Sequence, residues 1–237
     1  MILGSIIHGI IPMSFVKRNK FLPEFIGLKF ADLHIIKEIM LSSLPRAFIL
    51  SLIQIKILFF NSFTSHADVG NTSILNFSYN LQNVPLSLIG VSFVIAAFPI
   101  LSKKHVNQDV KGFWDLYKYT AKKIFIYCGL ATIAIWFLKD YIVLILLGNI
   151  EAYKIIALTL GIFSLSLIPQ CIELLTIRTY YARGENKRPA MYSLFLTTFV
   201  ILLAYFSDGN AMSIAKAFTI GSWISAFVLI ISIRKNL

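Results

Sequence analysis

The sequence predicts an all-α membrane protein, a polytopic bundle of transmembrane helices. Hydrophobic residues make up 57% of its 237 residues, the mean hydropathy is +0.77, and only 14% of the residues are charged. A soluble domain carries about 25% charged residues, so this chain lacks the charge to cover a surface that faces water. The composition excludes an ordinary soluble enzyme, and it is the opposite of the composition of disordered chains.

Six apolar stretches meet or approach the roughly 20 residues that a helix needs to cross the hydrocarbon core of a bilayer. A seventh stretch, residues 1–16, is too short to span comfortably and predicts a partial first helix. Two interpretations of it stay open: a short re-entrant or tilted helix, or the end of a helix that starts in a longer protein. The six full spans are predicted at residues 44–63, 84–101, 124–147, 155–180, 191–206 and 212–233.

The basic residues between the stretches predict the orientation, because cytoplasmic loops are enriched in Lys and Arg. Residues 16–43 contain five and residues 102–123 contain six, whereas residues 64–83 contain none and residues 148–154 contain only Lys154. This alternation continues to the end of the chain. It predicts that the basic segments and the C-terminus are cytoplasmic.

Residues 17–43 are too polar to span the membrane. Between residues 21 and 40, apolar side chains recur near helical spacing with charged side chains between them, which is typical of a helix that lies in the interface. The predicted organisation is therefore the end of a transmembrane helix at residues 1–16, a cytoplasmic interfacial linker at 17–43 and a six-helix transmembrane lobe at 44–237.

Other functional classes lack support in the sequence. The net charge is +11, but the basic residues lie in short segments between apolar runs, so nucleic acid is not an expected partner. The sequence contains no phosphate-binding loop, zinc motif or nucleophile elbow, so we expect no catalytic residue, no metal site and no cofactor. Cys128 and Cys171 lie in apolar runs and are interpreted as packed thiols.

Polar residues inside the predicted spans are the candidates for function, because such residues usually face a bundle interior or a wet cavity. The first span contains Arg46, Gln54 and Lys56. Lys56 lies about seven residues from the outer end of this span, so it either points inward or extends toward the interface. The same two alternatives apply to Arg46.

The next segment contains a ladder of amides. Asn76, Asn80 and Asn83 repeat at spacings of four and three residues, which places them on one face of a helix. Such ladders either form hydrogen bonds between neighbouring helices or line a substrate cavity, and both interpretations stay open.

The fourth span repeats this pattern. Gln170 and Glu173 share a face, and Arg178 lies near the cytoplasmic end, where it either faces the cavity or extends to the interface. Pro169 removes a backbone donor in the same turn, so a kink is expected there. A kinked helix with a buried acid is a candidate for a moving part.

Three stretches of the sequence resemble motifs of one known membrane-protein family. Residues 80–102, NLQNVPLSLIGVSFVIAAFPILS, are similar to a family signature with a polar start, a Gly-Val-Ser turn and a Phe-Pro-x-Leu-Ser ending. Residues 178–189, RTYYARGENKRP, resemble the family's Arg-x-Phe-Tyr-Ala stretch and depart from its continuation at residues 186–188. Residues 44–46, followed by Gln54 and Ile55, fit the opening of the family's seventh helix. The family that these stretches resemble is the MurJ (MviN) family of lipid II flippases.

The resemblance implies a MATE-like C-terminal lobe, in which residues 1–16 correspond to the end of helix six and the six full spans to helices seven to twelve. It implies a lipid II flippase, or part of one, that works by alternating access in the bacterial cytoplasmic (inner) membrane and makes or breaks no bond. The implied partners are lipid II or another lipid-linked amphiphile and membrane lipids. An N-terminal lobe would be a separate chain or part of a longer gene product.

Two family features do not carry over to this sequence. An Arg often found at the position of Asn80 is absent, and we infer that Lys56 and Arg46 supply positive charge for the pyrophosphate instead. Some relatives hold sodium with an acidic residue near position 60, where this chain has Phe60, so no sodium site is expected.

Two rival functions stay open at this stage. A related multidrug or polysaccharide exporter would select a different amphiphile. An inactive membrane fragment or scaffold would tolerate neutralisation of Lys56 and Glu173 together.

Overall fold

The computed structural model describes residues 32–148 and 151–235, and every regular element in these ranges is helical. A π-helical turn, Leu86–Val91, joins α2 to α3 without interruption. The predicted partial helix at residues 1–16 lies outside the described residues, as does the linker up to residue 31. The helices are α1 (Asp32–Ser65), α2 (Asn71–Pro85), α3 (Ser92–Val106), α4 (Val110–Leu147), α5 (Tyr153–Ser164), α6 (Leu167–Ala182), α7 (Lys187–Tyr205) and α8 (Ala211–Lys235).

The predicted all-α bundle with six full spans is confirmed within the described part of the chain. The fourth span is divided between α5 and α6, which are bent by 42° relative to each other. Five other helical segments are each long and apolar enough to cross a membrane: Ile36–Ser65, Asn71–Val106, Val110–Leu147, Lys187–Tyr205 and Ala211–Ile233.

The chain forms two compact units, Met1–Leu41 and Ser42–Leu237. The described part of the first unit is residues 32–41, at the start of α1, so this helix begins within the residues predicted to form the linker. The second unit contains the rest of α1, all of the other helices and all of the candidate site residues.

Two helical segments are longer than the apolar stretches that predict them. The α4 helix has 38 residues, which corresponds to about 57 Å at 1.5 Å per residue, whereas the hydrocarbon core is about 30 Å thick. The first 14 residues of α4 carry four lysines, so most of the basic segment at residues 102–123 is helical. The turn between α3 and α4 consists only of residues 107–109. The second span likewise starts at Asn71, which places the whole asparagine ladder on one helix.

The break in the fourth span lies at Leu165 and Ser166, just before Pro169. A proline has no backbone N–H, and its ring clashes with the carbonyl group four residues earlier, which here belongs to Leu165. The Leu165 carbonyl instead accepts a hydrogen bond of 3.1 Å from the indole N–H of Trp223 in α8. The predicted kink is therefore confirmed, and a side chain from another helix replaces the lost backbone bond.

Side chains of neighbouring helices donate hydrogen bonds to two further carbonyls near this break. The Thr219 hydroxyl in α8 donates to the Ile162 carbonyl at 3.0 Å, and the Thr132 hydroxyl in α4 donates to the Ser164 carbonyl at 2.9 Å. An unsatisfied backbone group costs several kcal/mol in hydrocarbon. The irregular backbone at the break is therefore stabilised by α4 and α8.

The core of the lobe lies around α5 and α6, which both pack against α4 and α8. Cys128 in α4 and Cys171 in α6 are buried, and their Sγ atoms are 3.4 Å apart, which confirms that they are packed thiols. A Cβ atom on Gly90 would overlap the Cys171 side chain. The glycine therefore allows the π-helical turn to approach α6 closely.

The substitution Trp223→Phe should destabilise the lobe, because it leaves the Leu165 carbonyl without a donor at a loss of about 1–3 kcal/mol. Thermal unfolding of the detergent-purified chain measures this effect as a lower Tm. The matched control is Trp136→Phe, since the Trp136 ring has similar exposure and packs against the Lys139 ammonium rather than across the break. Equal Tm values for the two variants would contradict this account of the break.

Candidate functional site

The first group of candidate residues surrounds Lys56 in α1. Its ammonium nitrogen lies 4.8 Å from the centre of the Phe218 ring in α8, an arrangement in which the face of the ring attracts the cation. Lys56 also lines a cavity of about 10 Å³ with Asn61, Asn76 and Tyr79. This volume has room for about one water molecule. The Lys56 side chain therefore lies among α1, α2 and α8.

An amide pair connects α1 to α2 beside this lysine. Asn76 donates a hydrogen bond of 3.0 Å to the side-chain oxygen of Asn61, and the same amide group donates to the Thr72 carbonyl at 2.9 Å. Two turns beyond Asn76 on α2, the side chain of Asn83 lies beside the Tyr79 hydroxyl. Two members of the asparagine ladder thus make polar contacts, with α1 in one case and within α2 in the other.

Glu173 in α6 provides a negative charge that acts on Lys56. Both side chains are only partly exposed. No direct ion pair joins these two described residues. Lys56 on α1 and Glu173 on α6 nevertheless lie on the same side of the lobe.

A second group of candidate residues surrounds Tyr181 at the end of α6. The Arg46 guanidinium of α1 lies 4.8 Å from the centre of the Tyr181 ring and donates to the side-chain oxygen of Asn186 at 3.3 Å. Arg178, about one turn before Tyr181 on α6, lies over the Phe98 ring at 5.7 Å. Both arginine side chains are exposed, so their donors are accessible from outside the lobe.

The remaining three candidates have different surroundings. Gln54 and Asn80 are exposed on α1 and α2. Gln170 bonds within its own span, since its amide donates to the Ser166 hydroxyl at 2.7 Å, directly after the break. The structure thus divides the candidates into a group around Lys56, an arginine group around Tyr181, two exposed amides and one amide at the break.

Sequence reasoning missed several residues of this region. Tyr181 and Phe218 are the aromatic partners of the cations, and an aromatic residue in an apolar span gives no signal of such a role. Gln82 is fully buried in α2, and neither its amide oxygen nor its amide nitrogen has a hydrogen-bond partner among the described residues. Its spacing of four from Ser78 places both side chains on one face of α2, but only the structure shows that this face is packed.

The site consists of cations, amides, aromatic rings and one acid, Glu173. Among the described residues, no group of three or more His, Cys, Asp or Glu side chains could hold a metal ion. Exposed arginines can bind phosphate oxygens through two donors at once, and a partly buried lysine can act as a point charge. The arrangement can therefore hold an anionic group beside an apolar surface.

This architecture has the fold of one lobe of the MATE-like transporters. A crystal structure of MATE in the straight conformation superposes with a TM-score of 0.81 at 14% identity, over 96% of this chain and 53% of that one. A lipid II flippase MurJ in an inward closed conformation superposes with a TM-score of 0.73 at 17% identity, over 94% and 48%. The predicted MATE-like lobe is confirmed.

Sequence comparison defines the family. The family model described as lipid II flippase MurJ matches residues 1–237, and the chain belongs to this family. The lipid II flippase MurJ of Burkholderia cenocepacia is 21% identical over 211 residues, covering 85% of this chain and 40% of that protein. The probable lipid II flippase MurJ of Vibrio cholerae is 27% identical over 178 residues, covering 69% and 32%.

Two consequences follow from this membership. The family is one of membrane transporters and not of catalytic enzymes, and its members belong to the bacterial inner membrane. The chain spans about 40% of the length of the Burkholderia relative, so it corresponds to one part of such a protein.

The substitution Gln82→Met should stabilise the purified lobe, because it replaces a buried amide without partners by an apolar side chain of similar size. The expected gain is about 1–3 kcal/mol, observed as a higher Tm in thermal unfolding. Gln170→Met is the matched control, and it should not raise the Tm because the Gln170 amide has a partner in Ser166. A Tm for Gln82→Met below that of the unmodified chain would show that the amide is bonded in the folded protein.

Proposed function

We propose that this chain forms the C-terminal lobe of a lipid II flippase and moves the lipid-linked peptidoglycan precursor across the membrane. An N-terminal lobe would supply the facing wall of the cavity, and the two lobes would alternate between access to the inside and access to the outside. Membership of the family supports this proposal, and so do the cations that converge on one side of the lobe.

The proposal rests on the Arg46 guanidinium over the Tyr181 ring and on Arg178, about one turn earlier on α6, over the Phe98 ring, with Lys56 further along α1. Lipid II carries a pyrophosphate, for which exposed arginines are suitable ligands. Ten residues separate Arg46 from Lys56, which is about 15 Å along a helix. The two groups would therefore contact an anionic headgroup at two different depths in the membrane.

Nine residues from α1, α2 and α6 make up what we call the polar wall, and we propose that they face the central cavity. The cations would bind the pyrophosphate, and the amides would bind neighbouring polar groups of the headgroup. No covalent bond changes in this process. The wall consists of Arg46, Gln54, Lys56, Asn76, Asn80, Asn83, Gln170, Glu173 and Arg178.

The proposed orientation follows from the distribution of Lys and Arg. Positive residues are enriched in cytoplasmic segments, so the end of α3, the start of α4 and the C-terminus would face the cytoplasm. The arginine group at the end of α6 would then lie near the cytoplasmic side, where lipid II enters, and Lys56 would lie nearer the outer side.

Complementation of bacteria depleted of their own lipid II flippase tests the proposal. The chain is expressed alone and together with a matched N-terminal lobe, and membrane insertion is checked in both strains. We expect growth only when the lobe is added, because one wall does not enclose a cavity. Failure of both strains with insertion intact would contradict the flippase proposal.

In the rescued strain, Lys56→Gln should reduce growth strongly, because it removes the deeper cation of the polar wall. Removal of one charge-assisted hydrogen bond to the substrate corresponds to about a tenfold loss of binding. The control Lys122→Gln removes the same charge from an exposed site on α4 outside the wall and should leave growth unchanged. Equal growth of the two variants at equal membrane levels would exclude Lys56 from the transport path.

A further inference from the structure

A second cavity lies outside the polar wall, at the end of the lobe that carries the basic segment. Its volume is about 450 Å³, and it is formed where the end of α3, the start of α4 and the end of α6 meet. This size lies within the range of sites that hold small molecules. None of its lining residues belongs to the polar wall. The lining includes Lys104, His105, Asp109, Phe113, Trp114 and Arg183.

The charged lining of this cavity is mainly basic. Lys104, His105 and Arg183 line it, and Asp109 is its one lining acid among the described residues. The Lys104 ammonium forms an ion pair of 2.8 Å with the Asp109 carboxylate, and both side chains remain partly exposed. A ligand with a negative charge would therefore meet an excess of donors.

Arg183 carries the positive charge at the opposite side of the cavity. It forms an ion pair of 2.8 Å with Glu185, which also pairs with Arg188 at 2.8 Å. Among the described residues, one acid is thus paired with two arginines, Arg183 and Arg188. The side chain of Arg183 is only 17% exposed, which holds the guanidinium in place beside the cavity.

Asp109 has a structural role that explains its presence among these cations. Its side chain accepts a hydrogen bond of 2.8 Å from the Gly112 amide and so caps the start of α4. The hydrogen bonds from Lys104 and from this amide hold the pKa of Asp109 below its usual range. Asn is an equally good cap residue, so the charge of Asp109 can be removed while the cap is kept.

The aromatic lining indicates a position at the membrane boundary. Phe113 packs edge to face against Trp114, which in turn contacts Tyr117. Tryptophan and tyrosine are enriched at the level of the lipid headgroups. Basic pockets between transmembrane helices on the cytoplasmic side are suited to anionic headgroups, and this end of the lobe is the one predicted to be cytoplasmic.

We propose that this cavity, the headgroup pocket, binds the phosphate of an anionic membrane phospholipid. Lys104 and Arg183 would bind the phosphate oxygens, and the Trp114 and Phe113 rings would contact the glycerol and the first part of the acyl chains. The pocket is a site for a bilayer lipid and is separate from the path of the transported lipid. A bound lipid would contact the end of α3, the start of α4 and the end of α6, and would stabilise their packing.

Native mass spectrometry of the full chain in detergent tests this site by titration with phosphatidylglycerol. Phosphatidylcholine with the same acyl chains tests the need for net negative charge, and glycerol 3-phosphate tests a soluble phosphate ester. We expect saturable binding of phosphatidylglycerol only. Equal binding of phosphatidylcholine would overturn the proposal, and equal binding of glycerol 3-phosphate would overturn a lipid as the occupant.

Two variants of the pocket should change this binding in opposite directions. Lys104→Gln should weaken phosphatidylglycerol binding about fivefold, and Asp109→Asn should strengthen it about fivefold, since each changes one charge near the lipid surface. Misfolding cannot produce tighter binding, so the second variant tests the site even if the first is unstable.

The control for these variants is Lys118→Gln, which removes an exposed charge from α4 outside the pocket. It should leave the affinity for phosphatidylglycerol unchanged. A fall as large as that of Lys104→Gln, or weaker binding by Asp109→Asn, would overturn the proposal. The assay involves no transport, so its result is independent of the complementation experiment.

Discussion

The structure of the lobe depends on the backbone hydrogen bonds at the break between α5 and α6. Pro169 removes a donor in the middle of a span, where no water replaces it. The Leu165 carbonyl is bonded by Trp223, and neighbouring carbonyls are bonded by Thr219 and Thr132. These donors come from α8 and α4, so the broken span has to lie between these two helices. The constraint places α5 and α6 at the centre of the bundle.

The position of α6 in turn determines where the polar residues meet. Because α6 is central, its Glu173 lies within electrostatic range of Lys56 of α1. The ring of Tyr181, near the end of α6, packs against the Arg46 guanidinium. The α2 helix reaches the same side through the hydrogen bond between Asn76 and Asn61. Three separate helices thus contribute to one side of the lobe, which is the side that we propose faces a second lobe.

Much of the fold could be predicted from the sequence, because a bilayer requires long apolar helices and the basic residues separate them. The kink at Pro169 could be predicted because proline lacks a backbone N–H. Contacts between helices could not, since continuous apolar runs do not show which face of a helix is packed. The unpartnered amide of Gln82 and the pairing of Arg46 with Tyr181 therefore required the structure. The sequence also placed the basic segment in a loop, whereas α4 continues through it as helix.

If the proposed function is correct, the polar wall faces water while the exposed apolar surface of the spans faces lipid. Asn80→Cys and Phe137→Cys test it directly in a background with Cys128→Ala and Cys171→Ala, because both positions are exposed and lie nine to ten residues from a helix end on the same predicted side. Each variant, joined to an N-terminal lobe in native membranes, is treated with a water-soluble thiol reagent. We expect that the cysteine at position 80 is labelled and that the one at position 137 is not. An unlabelled position 80 would contradict it.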